Sequence, residues 1–325
     1  MSTAPDAASP GRLRAPKMSW RQMKLQEYAL VGVIVLLVVA GAILESDSFL
    51  SSDNLLNVLR QGSIVGVLAI GMTFVIATAG IDLSVGSMLA AAAIVGGQFA
   101  DSGSVAFILG ALAMGIALGA VNGAAIAYGK VVAFIATLAM LTIARGLALL
   151  ISDKTPISVV SLETVRWFGN GEVLGIPSAV IVFVVVTALG WVLLNRTAYG
   201  RYVVAVGGNP EAARIAGVKV QRIIFSVYVL IGVCVAISAI LLTGRLASAS
   251  PVAGSLYELQ AIAAVVIGGS SLAGGRATIV GTFLGVLTFA LIFNLLTLMD
   301  VAVEIQQIIQ GLIILAAVLL QRRRS

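Results

Sequence analysis

The sequence predicts an all-α membrane protein that crosses the bilayer about ten times, with some of its helices broken or re-entrant. Three observations lead there. Hydrophobic residues make up 60% of the 325-residue chain and charged ones only 10%, whereas a soluble domain carries about a quarter charged residues. Apolar runs near twenty residues recur between short polar connections from Tyr28 onward, the length a helix needs to span a bilayer. Finally, the cations are asymmetrically placed between those runs, as the orientation rule for membrane proteins requires. The runs are continuous and not alternating, which excludes barrel strands.

Taken in order, the predicted spans cover residues 28–44, 62–79, 86–100, 105–128, 131–152, 179–194, 223–243, 259–275, 278–298 and 304–320. The polar, basic segment 1–27 (Arg12, Arg14, Lys17, Arg21, Lys24) is read as an inner tail before an uncleaved first span, since Glu45-Ser46-Asp47 and not a small-x-small cleavage site follows. Residues 28–320 form one transmembrane domain with an inner loop at 195–222, and residues 321–325 form a second basic end. An even span count puts both termini on one side. With that side cytoplasmic, fifteen of the twenty cations lie inside, including Lys130, Arg196, Arg201, Arg214, Lys219, Arg222 and Arg276. Arg60, Lys154, Arg166 and Arg245 then fall outside, most acids (Glu258 among them) lie outside as well, and Arg145 falls within a span. Orientation accounts for the net charge of +6 without nucleic acid.

Two segments break the helical pattern. Residues 86–100 are 15 in number and reach roughly 22 Å, against a hydrocarbon core of about 30 Å, so the preceding turn GIDLSVGS at 80–87 lies partly within the bilayer. The stretch IGGSSLAGG at 267–275 is a second Gly/Ser interruption. Residues 75–84 and 265–274 share one pattern, an apolar helix, then glycine, then small polar residues, as a parallel repeat would. Irregular backbone at membrane depth is tolerated only inside protein or along a wet cavity, and paired interruptions point to a transport pathway. Gly80, Asp82, Ser84, Ser87, Ser270 and Ser271 are the candidate path residues. Asp82, an intramembrane acid, is a functional candidate; the plainer alternative is that Asp82 or Ser84 caps the short helix beginning near Val85. Arg145 stands too far along its helix to pair with it.

In the inner loop, Asn209, Pro210, Glu211, Ala212, Ala213 and Gly217 spell a short helix. Asn209 is the N-cap, Pro210 fits the first position, Glu211 suits the positive end and Gly217 stops it. Two turns alone in water are marginal, so this helix calls for a packing partner, with Ile215 and Val218 as apolar contacts; the choice lies between a cytoplasmic protein and the inner lipid face. In the outer loop 153–178, Trp167 and Phe168 are placed as interfacial anchors, and Arg166 and Arg245 as exposed cations open to an external partner. The chain has no histidine and a single cysteine, Cys234, which removes triads, imidazole relays and internal disulfides. No nucleotide-binding G-x-x-x-x-G-K-[ST] occurs. Energy, where used, comes from another subunit.

GIDLSVGS at 80–87, AFIATL at 133–138, YGRYVVAVGGNPEAARIAG at 199–217 and AIAAVVIGGSSLAGG at 261–275 together carry a resemblance. Over about residues 28–320 the chain resembles the permease subunit of bacterial ABC importers for monosaccharides, of the ribose/xylose/arabinose type. Val131-Val132 departs from it, standing where many members have Pro. The resemblance implies an inner-membrane transport subunit that is not itself an enzyme and holds no cofactor. It implies a cytoplasmic ATP-binding subunit carrying ATP and Mg, an extracytoplasmic sugar-binding protein, and a second permease subunit, identical or different. Glu211-Ala212-Ala213 with Gly217 then resembles the coupling motif that docks on the ATPase. The alternatives are import of a branched-chain amino acid, nucleoside or signalling furanose, a self-sufficient secondary transporter or channel, and a membrane-embedded enzyme, for which no catalytic constellation is found. A zwitterion would favour a fixed charge pair on the path, and the sequence displays none.

Overall fold

The computed structural model describes residues 20–46 and 48–322. Of the terminal cations, Arg12, Arg14, Lys17, Arg323 and Arg324 lie outside these. The chain opens with α1 (Trp20–Leu44), α2 (Ser52–Ala77), α3 (Val85–Gln98), α4 (Ser104–Ala127) and α5 (Ala133–Ile151). A polar connection holding α6 (Glu163–Asn170) leads to α7 (Ser178–Arg196), then to the short α8 (Ala198–Gly208) and α9 (Pro210–Ile215). The remainder is α10 (Val220–Leu246), α11 (Tyr257–Ile267), α12 (Ile279–Leu298) and α13 (Val303–Arg322). Nine of the ten expected spans are helical over nearly their whole length, and the tenth, 259–275, is helical only to Ile267. The first helix begins eight residues before the apolar run, so the segment 20–27 continues α1.

Six of these helices (α2, α4, α5, α7, α10 and α12) are long and apolar enough to cross a membrane. The 14 residues of α3 and 11 of α11 reach only about 21 and 16 Å. Both are shorter than the hydrocarbon core, and each adjoins one of the two interruptions. Short helices inside a bilayer need protein around them, and α3 has it: Val85, Met88, Leu89 and Ile94 are fully buried. The centre of the bundle is α2, buried continuously from Gly62 to Ala77. Around it, α4, α5 and α7 expose Leu109, Val121, Ile135, Leu150 and Leu189, outward apolar faces suited to lipid tails.

Helices α4 and α10 approach closely because small residues line the seam. A Cβ on Gly115 would stand 2.6 Å from the Gly232 carbonyl oxygen, and one on Gly119 2.3 Å from that of Tyr228. Membrane helices pack through such small-residue stripes, where the hydrophobic effect between them is absent. The loop after α10 pairs Ser248–Ala249 antiparallel with Ile157–Ser158 and then runs back along α3. There a Cβ on Gly86 would come within 2.1 Å of the Gly254 carbonyl oxygen.

The candidate translocation break and coupling helix

The two interrupted segments end their helices in the same way. At the end of α2, the Ala79 and Gly80 amides donate to the carbonyls of Ile76 (2.9 Å) and Val75 (3.0 Å). At the end of α11, the Gly269 and Ser270 amides donate to those of Val266 (3.0 Å) and Val265 (3.2 Å). Ala79 and Gly269 both take positive φ, 62° and 92°. This is the left-handed termination that satisfies the last carbonyls of a helix, at matched positions of the two segments aligned in the sequence. The two ends meet: the Gly275 amide donates to the Ala77 carbonyl at 3.0 Å.

Around the first break, Asp82 organises a buried polar cluster. Its Oδ1 accepts from the Ser84 amide (2.8 Å) and hydroxyl (2.5 Å), and Asn122 Nδ2 donates to Ser84 Oγ at 3.0 Å. Ser84 stands at the N-cap of α3 without capping it through its side chain; Asp82 closes the turn instead, a short-range acceptor role common to Asp. Its Oδ2 is buried without a hydrogen-bond partner among the described residues, as is the Tyr228 hydroxyl, which lies 2.7 Å from where a Cβ on Gly80 would be. The Thr137 hydroxyl donates to the Ile81 carbonyl at 3.2 Å, tying α5 to the same turn. Of the six path candidates, Gly80, Asp82, Ser84, Ser87 and Ser270 are buried and Ser271 is half-buried. The Ser270 hydroxyl accepts from the Thr278 amide at 3.2 Å.

These bonds give a first prediction. Asp82→Ala removes the acceptor for two Ser84 donors and should lower stability by about 1–3 kcal/mol, read as a lower melting midpoint in detergent. Asp82→Asn keeps an acceptor oxygen and should stay near wild type in both stability and uptake. A loss of uptake in Asp82→Asn with an unchanged melting midpoint would assign the role to the charge and not to the turn.

Sequence reasoning missed Tyr228, Asn122 and the setting of Glu258. This acid, placed outside from the sequence, is half-buried. Its Oε2 lies 2.4 Å from where a Cβ on Gly86 would be, in the first turn of α3, and it is electrostatically coupled to Arg145. Arg145 itself donates from Nη1 to the carbonyls of Pro251 (2.6 Å) and Ala253 (3.1 Å). It serves the loop before α11, not Asp82. Pro251, Ala253 and Glu258 are a hundred and more residues from Arg145, so no local motif could announce them.

On the inner-loop side, α9 follows the capping signals closely. The Asn209 side chain accepts from the Ala212 amide at 2.9 Å, and Pro210 occupies the first turn. Gly217 has φ +85°, and its amide and that of Val218 close onto the carbonyls of Arg214 (2.9 Å) and Ala213 (3.0 Å). Glu211 and Arg214 form an exposed ion pair at 2.6 Å; the Arg214 hydrogen bond holds the Glu211 carboxyl below its ordinary range. A depressed carboxylate pKa leaves the pair intact throughout neutral pH, and the contact is lost only as pH falls through that lowered value. Ala213 is buried, whereas Ile215 is 80% exposed, so the apolar contact expected of Ile215 is not made within this chain. One step upstream, α8 seats Gly207 and Gly208 against Ala77 and Gly275, where the two breaks meet.

On the opposite side, Arg166 is exposed and its Nη1 donates to the Val160 carbonyl at 3.3 Å. Arg245 is not an exposed cation as expected: it is half-buried. The cause is the close packing of Gly244 on α6, where its Cβ would lie 2.0 Å from the Val165 carbonyl oxygen. Arg60 is ion-paired with Glu172. Of the expected aromatic anchors, Trp167 is exposed, but Phe168 is half-buried and packs against the core.

The geometry is that of a bundle whose two breaks meet beside α8, with the exposed α9 following α8 in the chain. A family profile described as the branched-chain amino acid transport system / permease component matches residues 54–318. The chain is 46% identical over 299 residues to the ribose import permease protein RbsC of Bacillus subtilis, covering 91% of this chain and 92% of that one. With the protein of the same name from Escherichia coli K12, it shares 41% over 309 residues, 93% of this chain and 95% of the relative. The xylose transport system permease protein XylH of the same strain is 32% identical over 374 aligned positions, 94% of each chain. No solved structure matches. With a profile that spans most of the chain and relatives aligned nearly end to end, this helical membrane protein belongs to that family of transport-system permease components.

Proposed function

We propose that the chain is the membrane-spanning subunit of an ATP-driven importer in the bacterial inner membrane, forming the passage for a monosaccharide. The relatives named for ribose and xylose import supply the substrate class. The cation distribution supports cytoplasmic termini, with α8 and α9 inside and residues 152–177 outside. A sugar-binding protein delivers the solute to the outer side, where Arg166 is an exposed contact. Arg245 can join it only through its half-buried edge. Residues 28–320 act as one permease domain, paired with a second permease subunit, identical to it or different. ATP and Mg are held by the cytoplasmic partner.

The observation that carries this reading is α9, a helix too short to stand alone, yet capped at both ends and leaving Ile215 exposed outside the fold. Such a helix suits a cleft on another protein. Closure of the ATP-binding partners would move α9, and α8 would pass that movement to the meeting point of the breaks. The path then opens along Gly80, Asp82, Ser84, Ser87, Ser270 and Ser271. Their burial makes the conformation described a closed one on this reading. No covalent step is required of this chain.

The test is co-purification with the products of neighbouring genes. An ATP-binding protein should come down with wild type and be lost with Gly217→Pro, since φ near +85° is closed to proline and the substitution removes a bonded amide. Glu211→Gln should retain the partner and weaken transport-linked ATP hydrolysis, because the ion pair it breaks is exposed. Wild-type chain that purifies alone and carries ribose into vesicles without ATP would instead make it a secondary transporter.

A second reading has its own support. The family description names branched-chain amino acids, and Arg145 and Glu258 are opposite charges near one another, though not ion-paired among the described residues. The Arg145 guanidinium is already committed to two loop carbonyls, however, so the sugar reading is preferred. Uptake of ribose against leucine by the assembled importer separates the two.

A further inference from the structure

Between α2, α11, α12 and α13 lies a cavity of about 190 Å³, far above the roughly 10–15 Å³ that admits one water. Its polar wall consists of Asn57, Gln61, Gln260, Asn294, Thr297 and Gln306, with no ionisable side chain among its described lining residues. Phe289 and Phe293, their rings 4.9 Å apart, form an apolar side. Asn57, Gln61 and Thr297 are exposed and Gln260, Asn294 and Gln306 half-buried, so the cavity is open on one side and its polar groups are within reach of a solute.

The protein bonds only some of them. Asn294 exchanges hydrogen bonds with Asn54 at 2.7 and 3.0 Å. Gln306 donates to the Val301 carbonyl at 2.9 Å, and Thr297 to that of Phe293 at 2.8 Å. The side chains of Asn57, Gln61 and Gln260 make no hydrogen bond with the described residues. Asn57 and Gln61 lie one turn apart on the same face of α2. One turn beyond Gln306, Gln310 is buried with its Nε2 unpartnered. The floor, at Val65 and Ala264, is one turn of α11 from Gly268, about 6 Å above the second break.

We infer that this cavity is a receiving subsite for a neutral, polyhydroxylated solute, placed on the outer side before the breaks; the inference rests on the sugar-import reading and specifies where the sugar first meets this chain. Each free amide offers two donors and an acceptor, the mixture that sugar hydroxyls satisfy in either direction. The absence of ionisable groups from its wall disfavours a zwitterion, whose charges would lose hydration without compensation. The phenyl pair suits the apolar face of a sugar ring.

The probe is ribose, and the protein is the assembled importer. Gln61→Leu with Gln260→Leu removes two free amides without breaking a bond inside the protein. It should lower ribose uptake about tenfold, while assembly and basal ATP hydrolysis stay at wild-type levels. In a Cys234→Ala background, Gln61→Cys should react with a membrane-impermeant thiol reagent applied from outside, and millimolar ribose, but not leucine, should slow that reaction severalfold. An unreactive Gln61→Cys would show a lipid-filled cavity and overturn the subsite. So would reactivity that ribose does not alter, or unchanged uptake by the double variant, while wild type still imports ribose; the importer reading would then stand. Wild type that imports leucine and not ribose would remove the sugar reading itself, and protection by leucine would overturn the subsite with it.

Discussion

Gly207→Val is expected to abolish uptake, by about a hundredfold or more, because this position is where two helix ends and α8 share one backbone contact. A Cβ there would sit 1.8 Å from the Ala77 carbonyl oxygen and 2.7 Å from the Gly275 amide nitrogen. Those are the two atoms of the bond that joins the breaks at 3.0 Å. Neither is a flexible side-chain end, so relief requires α8 to move away or the bond to open, at a cost on the order of 3 kcal/mol. The neighbouring residue supplies the control: a Cβ on Gly208 meets nothing nearer than the Gly275 Cα at 3.7 Å, an ordinary contact. Gly208→Ala should transport like wild type. Uptake in vesicles, with size-exclusion profiles to confirm assembly, checks both. Equal activity of Gly207→Val and Gly208→Ala would remove α8 from the route between partner and breaks.

The second large effect is expected at Arg145→Met, which keeps the length and apolar stem of the side chain and deletes its charge. Two charge-assisted bonds to the Pro251 and Ala253 carbonyls are lost, and Glu258 loses its electrostatic partner. Bonds from ionised donors are the stronger class, and the half-buried Glu258 loses the favourable influence of a nearby cation. We expect destabilisation on the order of 3 kcal/mol, concentrated in the loop before α11. It should appear as a lower melting midpoint and as faster protease nicking between residues 247 and 256. Adding Glu258→Gln should recover part of the loss, because a half-buried carboxylate without a nearby cation is then gone. If the double variant is no more stable than Arg145→Met, the two residues act independently.

How much of this was legible depends on how local the signal is. The ten spans were readable because a hydrocarbon solvent imposes an average requirement on twenty consecutive residues. The caps of α9 were readable because Asn209 and Gly217 act on backbone groups three or four positions away. The matched ends of α2 and α11 were visible as a shared pattern in residues 75–84 and 265–274. Arg245 was misplaced for the opposite reason: its burial follows from Gly244 meeting α6, a contact between distant segments. Likewise, nothing near Glu258 tells that it sits beside Gly86.

Asn57, Gln61, Gln260 and Gln306 illustrate the division most clearly. Within their own helices these amides carry no pattern that names a site, and only the packing of α2, α11 and α13 gathers them around one space. The sequence by itself determined the solvent, the apolar helical segments, the breaks in them and the shape of the protruding helix, since each is set by composition or by bonds within a few residues. Tertiary structure alone decided that the breaks touch, that α8 lies against their junction, and that Arg145 holds a loop more than a hundred residues away. Those outcomes depend on which helix faces pack together in lipid, where small-residue fit and satisfaction of buried polar groups choose the neighbours.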